Sequence, residues 1–323
     1  MVIFRGTSLI SALAGTMLVL ILPQPATAKL RVVSTVAPIT NLIYNVAGTA
    51  VDLHGIIPEG TDSHTFEPSP SDIKWIASGD LFFLNGLNLE TPTEKLVASQ
   101  RQKNSRVVKL GDRILTEKEW IYDFSFPKDK GDPNPHLWLN VDFAIRYVTV
   151  IRDELVALDP EHRPYYLENA RLFTVKLQAL DRLIFDVTGT IPKQNRRLVT
   201  YHDSWPYFAA RYGFTVIGAV QPSSFSEPSA RDIASLIDQL RVLRVPAIFG
   251  SEVFPSKVLD QIGKEAGVRY VSTLRDDDLP GDPSSREHTY IGMMLENLRN
   301  MAGPLGGKID EVRKMDSSNV PPG

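Results

Sequence analysis

The sequence predicts an α/β protein with two parallel-sheet lobes, built from βαβ units and bridged by one long α-helix. Short apolar runs alternate with segments of helical periodicity, which is typical of parallel strands joined by crossover helices. An amphipathic helical stretch in the middle of the chain separates two similar sets of these runs. With 323 residues, the chain is long enough to bury two cores.

The predicted strands form two sets of four, one set in each half of the chain. They span 30–36, 51–57, 81–84 and 106–110 in the first half, and 198–201, 215–219, 247–250 and 270–273 in the second. Parallel strands cannot be joined by tight hairpins, so helices are expected between them. The two halves therefore share one plan.

The bridging helix is predicted from a stripe of seven apolar residues that recur at steps of four and three. They are Tyr166, Ala170, Phe173, Leu177, Leu180, Ile184 and Val187. Gly189 and Pro192 end this pattern. The resulting division is an N-terminal lobe at 29–160, a linking helix at 161–192, a C-terminal lobe at 193–315 and a flexible tail at 316–323. The alternative is a helix that covers one larger sheet.

The first 28 residues have the pattern of a cleaved secretory signal. Arg5 precedes an uncharged apolar run over 9–22, and the small-residue triplet 26–28 follows it. The run is shorter than a membrane-spanning helix requires. We expect cleavage after Ala28, and an uncleaved N-terminal anchor is the alternative.

The composition restricts what the exported chain can do. Its 38 acidic residues outnumber its basic residues, which argues against general nucleic-acid binding. The sequence contains no cysteine, so any metal site must use nitrogen and oxygen ligands. The chain also lacks the cysteine that carries the lipid anchor of a bacterial lipoprotein.

Three of the six histidines lie at strand ends or in stiffened loops, where α/β proteins collect ligand-binding residues. His64 lies in a turn-rich stretch after a predicted strand, prolines precede His136, and His202 directly follows a strand. The acidic run 276–278 follows the last predicted strand. Three imidazoles and one carboxylate would complete a tetrahedral zinc site. Their spacing alone does not identify one, because the candidates are dozens of residues apart.

Four segments, 60–72, 132–139, 199–212 and 250–268, resemble the signature segments of the cluster A-I periplasmic solute-binding proteins, which serve ABC importers of zinc and manganese. The resemblance covers essentially the whole exported chain. It implies two α/β lobes bridged by one long helix, with the metal in the cleft between the lobes. It also implies a periplasmic location, a monomer, and a membrane permease as partner.

Under this resemblance, the first three metal ligands fall on His64, His136 and His202. The third position is histidine in zinc-type members and glutamate in typical manganese-type members, so Zn²⁺ is favoured over Mn²⁺. The segment 121–135 contains no histidine, which resembles the subgroup that lacks a His-rich loop. A periplasmic metallochaperone is therefore a candidate loading partner, and we expect this loop to be mobile without metal and to supply no ligand.

The fourth ligand position falls in the run 276–278. The family pattern has an apolar residue, two variable residues and then the ligand carboxylate, and this pattern selects Asp277 when it is laid on Leu274. Alternation along an extended backbone would also send Asp276 and Asp278 to solvent. Asp276 is the alternative ligand. Glu252 is expected either to orient a ligand histidine or to lie at the surface.

The predicted function is that of a non-enzymatic carrier that captures Zn²⁺ and delivers it to an ABC transporter permease. No catalytic residue is assigned, because the contiguous His202, Asp203 and Ser204 are not a triad, whose members meet through the fold. The alternatives are a manganese or iron carrier on the same fold, a metal-dependent hydrolase, and an adhesin-like surface protein. Four protein ligands leave no open position for a substrate, which argues against the hydrolase.

Overall fold

The computed structural model describes residues 1–2, 28–221, 229–253 and 257–321. The predicted secretory signal lies almost entirely outside these residues. The described strands form two four-stranded parallel sheets with the orders β2-β1-β3-β4 and β6-β5-β7-β8. The strands are β1 (Arg31–Ser34), β2 (Asp52–Gly55), β3 (Leu81–Leu84), β4 (Arg106–Lys109), β5 (Arg197–Thr200), β6 (Thr215–Ala219), β7 (Ala247–Ser251) and β8 (Arg269–Leu274). All eight predicted strands are confirmed, and the two sheets have the same strand order.

Helices occupy most of the connections between the parallel strands, as crossover topology requires. They are α1 (Ala37–Ala47), α2 (Pro70–Ser78), α3 (Thr91–Gln100), α4 (Leu110–Ile114), α5 (Val141–Leu158), α6 (Arg163–Gly189), α7 (Pro206–Tyr212), α8 (Ala230–Leu243), α9 (Lys257–Ala266) and α10 (Tyr290–Ala302). Ser69 and Ser229 begin α2 and α8 with capping boxes, in which an aspartate three residues later completes the cap. Within the described ranges, no helix combines the length and the apolarity that crossing a membrane needs.

Helix α6 is the predicted linking helix, and all seven residues of its apolar stripe are buried. It packs against α1 and α5 of the N-terminal lobe and against α7 and α10 of the C-terminal lobe. The described strands form two separate sheets, which excludes the alternative of one larger sheet.

One hydrophobic core continues from the first lobe through α6 into the second. It includes Val32 and Tyr147 of the N-terminal lobe, Phe173 of α6, and Trp205 and Met293 of the C-terminal lobe. The lobes are therefore joined by packed side chains as well as by the chain itself.

The segment predicted to be a flexible tail makes specific contacts as far as the structure describes it. Asp316 accepts a hydrogen bond from Lys176 of α6 at 3.0 Å. Asn319 accepts hydrogen bonds from Asn41 and Asn45 of α1 at 3.1 and 2.8 Å. These contacts tie residues 316–321 to the linking helix and to the N-terminal lobe.

Candidate metal centre

The structure brings together the three histidines that the sequence singled out. His64 follows β2 at the end of a turn-rich segment, His136 lies just before α5, and His202 is two residues beyond β5. Each offers a candidate ligand atom, and these atoms all lie within 4.8 Å of one another. His136 and His202 are buried, whereas His64 is partly exposed. The cluster therefore combines side chains from both lobes, and His64 forms its exposed side.

The ring nitrogens that meet in this cluster are all Nε2 atoms. His202 Nε2 lies 3.1 Å from His136 Nε2 and 3.4 Å from His64 Nε2. His136 Nδ1 lies 3.0 Å from Asn134 Oδ1, and His202 Nδ1 lies 2.6 Å from Gln221 Oε1. Because an amide oxygen only accepts, these contacts place the ring protons on Nδ1. The Nε2 lone pairs of His136 and His202 then face each other, an arrangement that a shared cation would stabilise.

Burial favours the neutral form of two of these imidazoles. It lowers the pKa of both His64 and His136 well below the usual value, and electrostatic interaction with His202 lowers both further. A neutral imidazole is the form that binds a metal ion. Both side chains are thus kept available as ligands at neutral pH.

The acidic run after β8 is buried, which contradicts the prediction that Asp276 and Asp278 face solvent. Asp276, Asp277 and Asp278 are 3%, 8% and 7% exposed. Oε1 of Glu252 accepts hydrogen bonds from the backbone N–H groups of all three, at 2.9, 3.1 and 3.1 Å. Three consecutive N–H groups that converge on one oxygen require a tight turn. The alternation expected of an extended strand therefore does not apply.

Glu252 thus organises the backbone of the acidic run, a role different from the two considered from the sequence. Burial raises its pKa well above the ordinary value, and the neighbouring Asp276 carboxylate raises it further. The pKa of Asp277 is raised well above its usual value by the same two causes, and burial raises that of Asp278 to about 6. This part of the site is a set of buried, mutually repelling carboxyl groups.

Asp277 does not belong to the group of atoms within 4.8 Å that the three histidines form. One of its carboxylate oxygens is buried without a hydrogen-bond partner, as is one oxygen of Asp276 and one of Asp278. Oδ2 of Asp278 accepts a hydrogen bond from the N–H of Gly60 at 2.8 Å. Burial raises the pKa of Asp277, whereas the side chain of Ser63, the residue before His64, lowers it. Asp277 therefore lies on the side of the acidic run that approaches the His64 segment.

The loop 121–135 covers the histidine cluster. The ring of Phe126 lies 5.6 Å from that of His64 and 6.0 Å from that of His136. The hydroxyl of Ser125 donates to the carbonyl of Gln221 in the other lobe at 3.2 Å. Residues 133–135 are buried, whereas 128–132 are exposed. The sequence predicted a mobile loop over 121–135, and in the structure residues 125, 126 and 133–135 are buried, while Asp132 accepts a hydrogen bond from Asn88.

Two amide side chains contact the histidines and were not predicted from the sequence, those of Asn134 and Gln221. Asn134 could have been found, because it lies two residues before His136 in a proline-stiffened segment and can reach that ring locally. Gln221 lies 19 residues beyond His202, and only the return of the chain through α7 and β6 brings it back to that ring. No local pattern could have indicated it.

Comparison with known proteins gives consistent results over most of the chain. Residues 32–303 match the family model of ZnuA, described as the periplasmic zinc-uptake complex component A. The sequence is 31% identical over 284 residues to the iron-binding protein YfeA from Yersinia pestis, which covers 88% of this chain and 89% of that protein. It is 30% identical over 270 residues to the manganese-binding lipoprotein MntA from Halalkalibacterium halodurans, with coverage of 83% and 86%.

A solved structure shows the same architecture. The periplasmic zinc-binding protein TroA from Treponema pallidum superposes with a TM-score of 0.79 at 27% sequence identity, and the match covers 86% of this chain and 100% of that one. The three proteins are named for three different metals. The comparisons therefore agree on a metal-binding protein and differ on the ion.

Proposed function

Because this chain belongs to the ZnuA family, the periplasmic metal-binding proteins of ABC importers, we propose that it captures Zn²⁺ and delivers it to a membrane permease. The observation that supports zinc is the convergence of three Nε2 atoms, two of them on rings whose Nδ1 protons are held by amide oxygens. Imidazole nitrogen suits zinc, whereas manganese is better served by carboxylate, carbonyl and water oxygens.

The proposed coordination has His64, His136 and His202 as nitrogen ligands and Asp277 as the oxygen ligand. One carboxylate would complete the tetrahedron that zinc prefers and would leave no position for a substrate, so the site is that of a carrier rather than an enzyme. The buried oxygen of Asp277 without a hydrogen-bond partner is available for this role. This coordination requires the acidic run to move toward the histidines, because Asp277 lies outside the group that they form.

We propose that residues 1–28 are removed on export, that the mature chain works as a periplasmic monomer without a lipid anchor, and that a metallochaperone is a candidate donor of the ion. The absence of cysteine from the sequence supports the unlipidated form.

A manganese or iron carrier is the second candidate, and the named metals of MntA and YfeA favour it. The acidic run supplies the chemistry that such a site needs, because each of its three aspartates has a buried oxygen without a partner. If two of these oxygens approached the ion, the donor set would become richer in oxygen and better suited to Mn²⁺.

Direct metal competition tests the proposal. Metal-free mature protein is titrated with zinc and manganese together under a competing chelator, and bound metal is quantified by elemental analysis. We expect one zinc per chain and displacement of manganese by zinc. His202→Glu should shift the preference toward manganese, whereas His162→Glu, at an exposed position before α6, should not. A preference of the unaltered protein for manganese would refute the zinc assignment.

A further inference from the structure

Asn134 is a fully buried side chain whose polar atoms contact both lobes of the metal centre. Its Oδ1 accepts hydrogen bonds from the backbone N–H and from Nδ1 of His136, both at 3.0 Å. Its Nδ2 donates to Oδ2 of Asp123 at 2.8 Å and to the backbone carbonyl of Asp203 at 2.5 Å. Asp203 directly follows His202. One amide therefore connects the segments that carry two of the three histidines.

The orientation of this amide follows from its partners. A backbone N–H can only donate, so the atom facing that of His136 must be oxygen. A backbone carbonyl can only accept, so the atom facing that of Asp203 must be nitrogen. Since Oδ1 cannot donate, the Nδ1 of His136 must carry the ring proton. Nε2 is then left as the metal-binding atom.

Gln221 provides a contrast within the same site. Its side chain contacts Nδ1 of His202, which belongs to the same lobe, through Oε1 at 2.6 Å. The side chain of Gln221 thus orients one ring, whereas that of Asn134 orients one ring and also binds the backbone next to the other.

We propose that Asn134 is a positioning residue that couples the orientation of His136 to the position of the His202 segment. When the His202 segment is in place, the Asp203 carbonyl holds the Asn134 amide in position. The amide then holds the His136 ring with Nε2 toward the ion. When that segment moves away, the amide loses a partner and His136 loses its support. Metal release and separation of the two segments are thereby linked. This inference rests on the proposed zinc-binding function.

Two substitutions separate the two halves of this role. Asn134→Ala removes both the acceptor for His136 and the donor to Asp203. Asn134→Asp keeps a carboxylate oxygen that accepts from His136 Nδ1 but removes both donations of Nδ2, to the Asp203 carbonyl and to Asp123, and places a carboxylate beside Asp123. Asn195→Ala is the matched control, because Asn195 also donates to a backbone carbonyl, that of Leu305 at 3.0 Å, away from the metal centre.

Two measurements are made on each variant of the mature protein. The first is the zinc release rate, obtained by mixing the zinc-loaded protein with excess chelator. The second is the ring tautomer of His136 in the metal-free protein, obtained from ¹⁵N–¹H correlation spectra and assigned by comparison with His136→Gln.

Asn134→Ala should release zinc roughly ten- to a hundredfold faster, the range for loss of a group that orients a ligand, and should lose the Nδ1–H tautomer. Asn134→Asp should keep that tautomer and still release zinc faster. Asn195→Ala should match the unaltered protein.

The outcomes distinguish this inference from the proposed function. If the unaltered protein binds no zinc, the proposed function fails, and the tautomer measurement in metal-free protein still tests the positioning of His136. If Asn134→Ala retains the Nδ1–H tautomer, the positioning role is refuted. If Asn134→Asp releases zinc at the unaltered rate, the link to the His202 segment is refuted. Should Asn134→Ala fail to fold, the isosteric Asn134→Asp still decides the link to Asp203.

Discussion

The imidazole side and the carboxylate side of the metal centre are prepared for a cation in opposite ways. On the imidazole side, His64, His136 and His202 already converge, and burial lowers the pKa of the first two. On the carboxylate side, formed by Glu252 and residues 276–278, burial raises the pKa of three of the four carboxyl groups. The imidazole side therefore presents neutral nitrogen atoms, and the carboxylate side contains electrostatic repulsion that a cation would relieve.

This difference indicates a division of roles between the two sides. Neutral imidazole nitrogens can converge without metal at little electrostatic cost. The histidines can therefore form a preassembled metal-binding site. Buried carboxylates cannot all be ionised together unless protons or a metal ion offset their repulsion. Closing the carboxylate side should therefore depend on the ion already bound by the histidines.

The largest effect is expected from removing an imidazole. His202→Ala deletes the ring whose Nε2 lies near those of both other histidines, at 3.1 and 3.4 Å. Zinc affinity should fall by more than about a hundredfold, which exceeds the cost of losing a residue that only orients a ligand. Competition with a chromophoric chelator measures this loss, and His162→Ala is the control. A loss below tenfold would show that the imidazole side is not the principal binding element.

A smaller but still strong effect is expected at Asp277. Asp277→Ala should weaken zinc binding by opening the coordination shell to water, because three imidazoles would remain to hold the ion. Asp276→Ala and Asp278→Ala should each change the affinity by less than about tenfold. Zinc titration of the three variants under a competing chelator compares them directly. A larger loss for Asp276→Ala than for Asp277→Ala would identify Asp276 as the ligand.

The two sides should also differ in the protons that zinc displaces. The raised pKa values of Asp277 and Glu252 favour protonation on the carboxylate side, whereas the lowered pKa values of His64 and His136 favour their neutral forms. Zinc binding should therefore release protons mainly from the carboxylate side, and Asp277→Asn should reduce that release. Calorimetry in two buffers of different ionisation enthalpy measures the number of protons. An unchanged release in Asp277→Asn would contradict this assignment.

The pKa shifts of the two sides have opposite effects on how the stability of the metal-free protein changes with pH. Lowered histidine pKa values mean that the unfolded chain binds more protons below about pH 6.5, so this contribution falls as the pH falls. The raised pKa of Asp278, about 6, means that the folded chain holds more protons between its ordinary value and 6, so this contribution falls as the pH rises. Chemical denaturation of metal-free protein and of Asp278→Asn across pH 4–7 separates the two. The variant should lose the contribution of Asp278, whereas those of Asp277 and Glu252, whose pKa values are also raised, should remain.

Most of the fold could be predicted from the sequence because its signals are periodic and local. The eight strands coincide with short segments that contain adjacent or alternating apolar residues, and the stripe of α6 is one buried helical face. The three histidines could be selected because strand ends and stiffened loops are where such folds bind ligands. In each case the pattern that supports the prediction lies within a few residues of the element or side chain concerned.

The turn of the acidic run and the amide contacts of the histidines could not be predicted in this way. Glu252 lies more than twenty residues before the backbone groups that it binds, and the burial of Asp276 and Asp278 depends on that contact. The sequence shows three adjacent aspartates. It does not show that Oε1 of Glu252 binds the backbone N–H groups of all three and so holds this segment in a tight turn. Long-range polar contacts of this kind follow from the assembled fold.

The smallest effect is expected from the tip of the loop that covers the imidazole side. Residues 128–131 are exposed, and the tip closes on itself through the hydrogen bonds of Lys130 N–H to the Pro127 carbonyl and of Gly131 N–H to the Lys128 carbonyl. Its removal leaves Ser125, Phe126 and Asn134, the contacts that bind the loop to the site, on either side of the deletion. Deleting 128–131 should therefore leave equilibrium zinc affinity within about tenfold, whereas Asn134→Ala in the same loop should alter zinc release strongly. Chelator competition on the deletion variant and on the unaltered protein measures the difference. A loss of several orders of magnitude would mean that the exposed tip supplies a ligand, and the preassembled imidazole side would then need a fourth member from this loop.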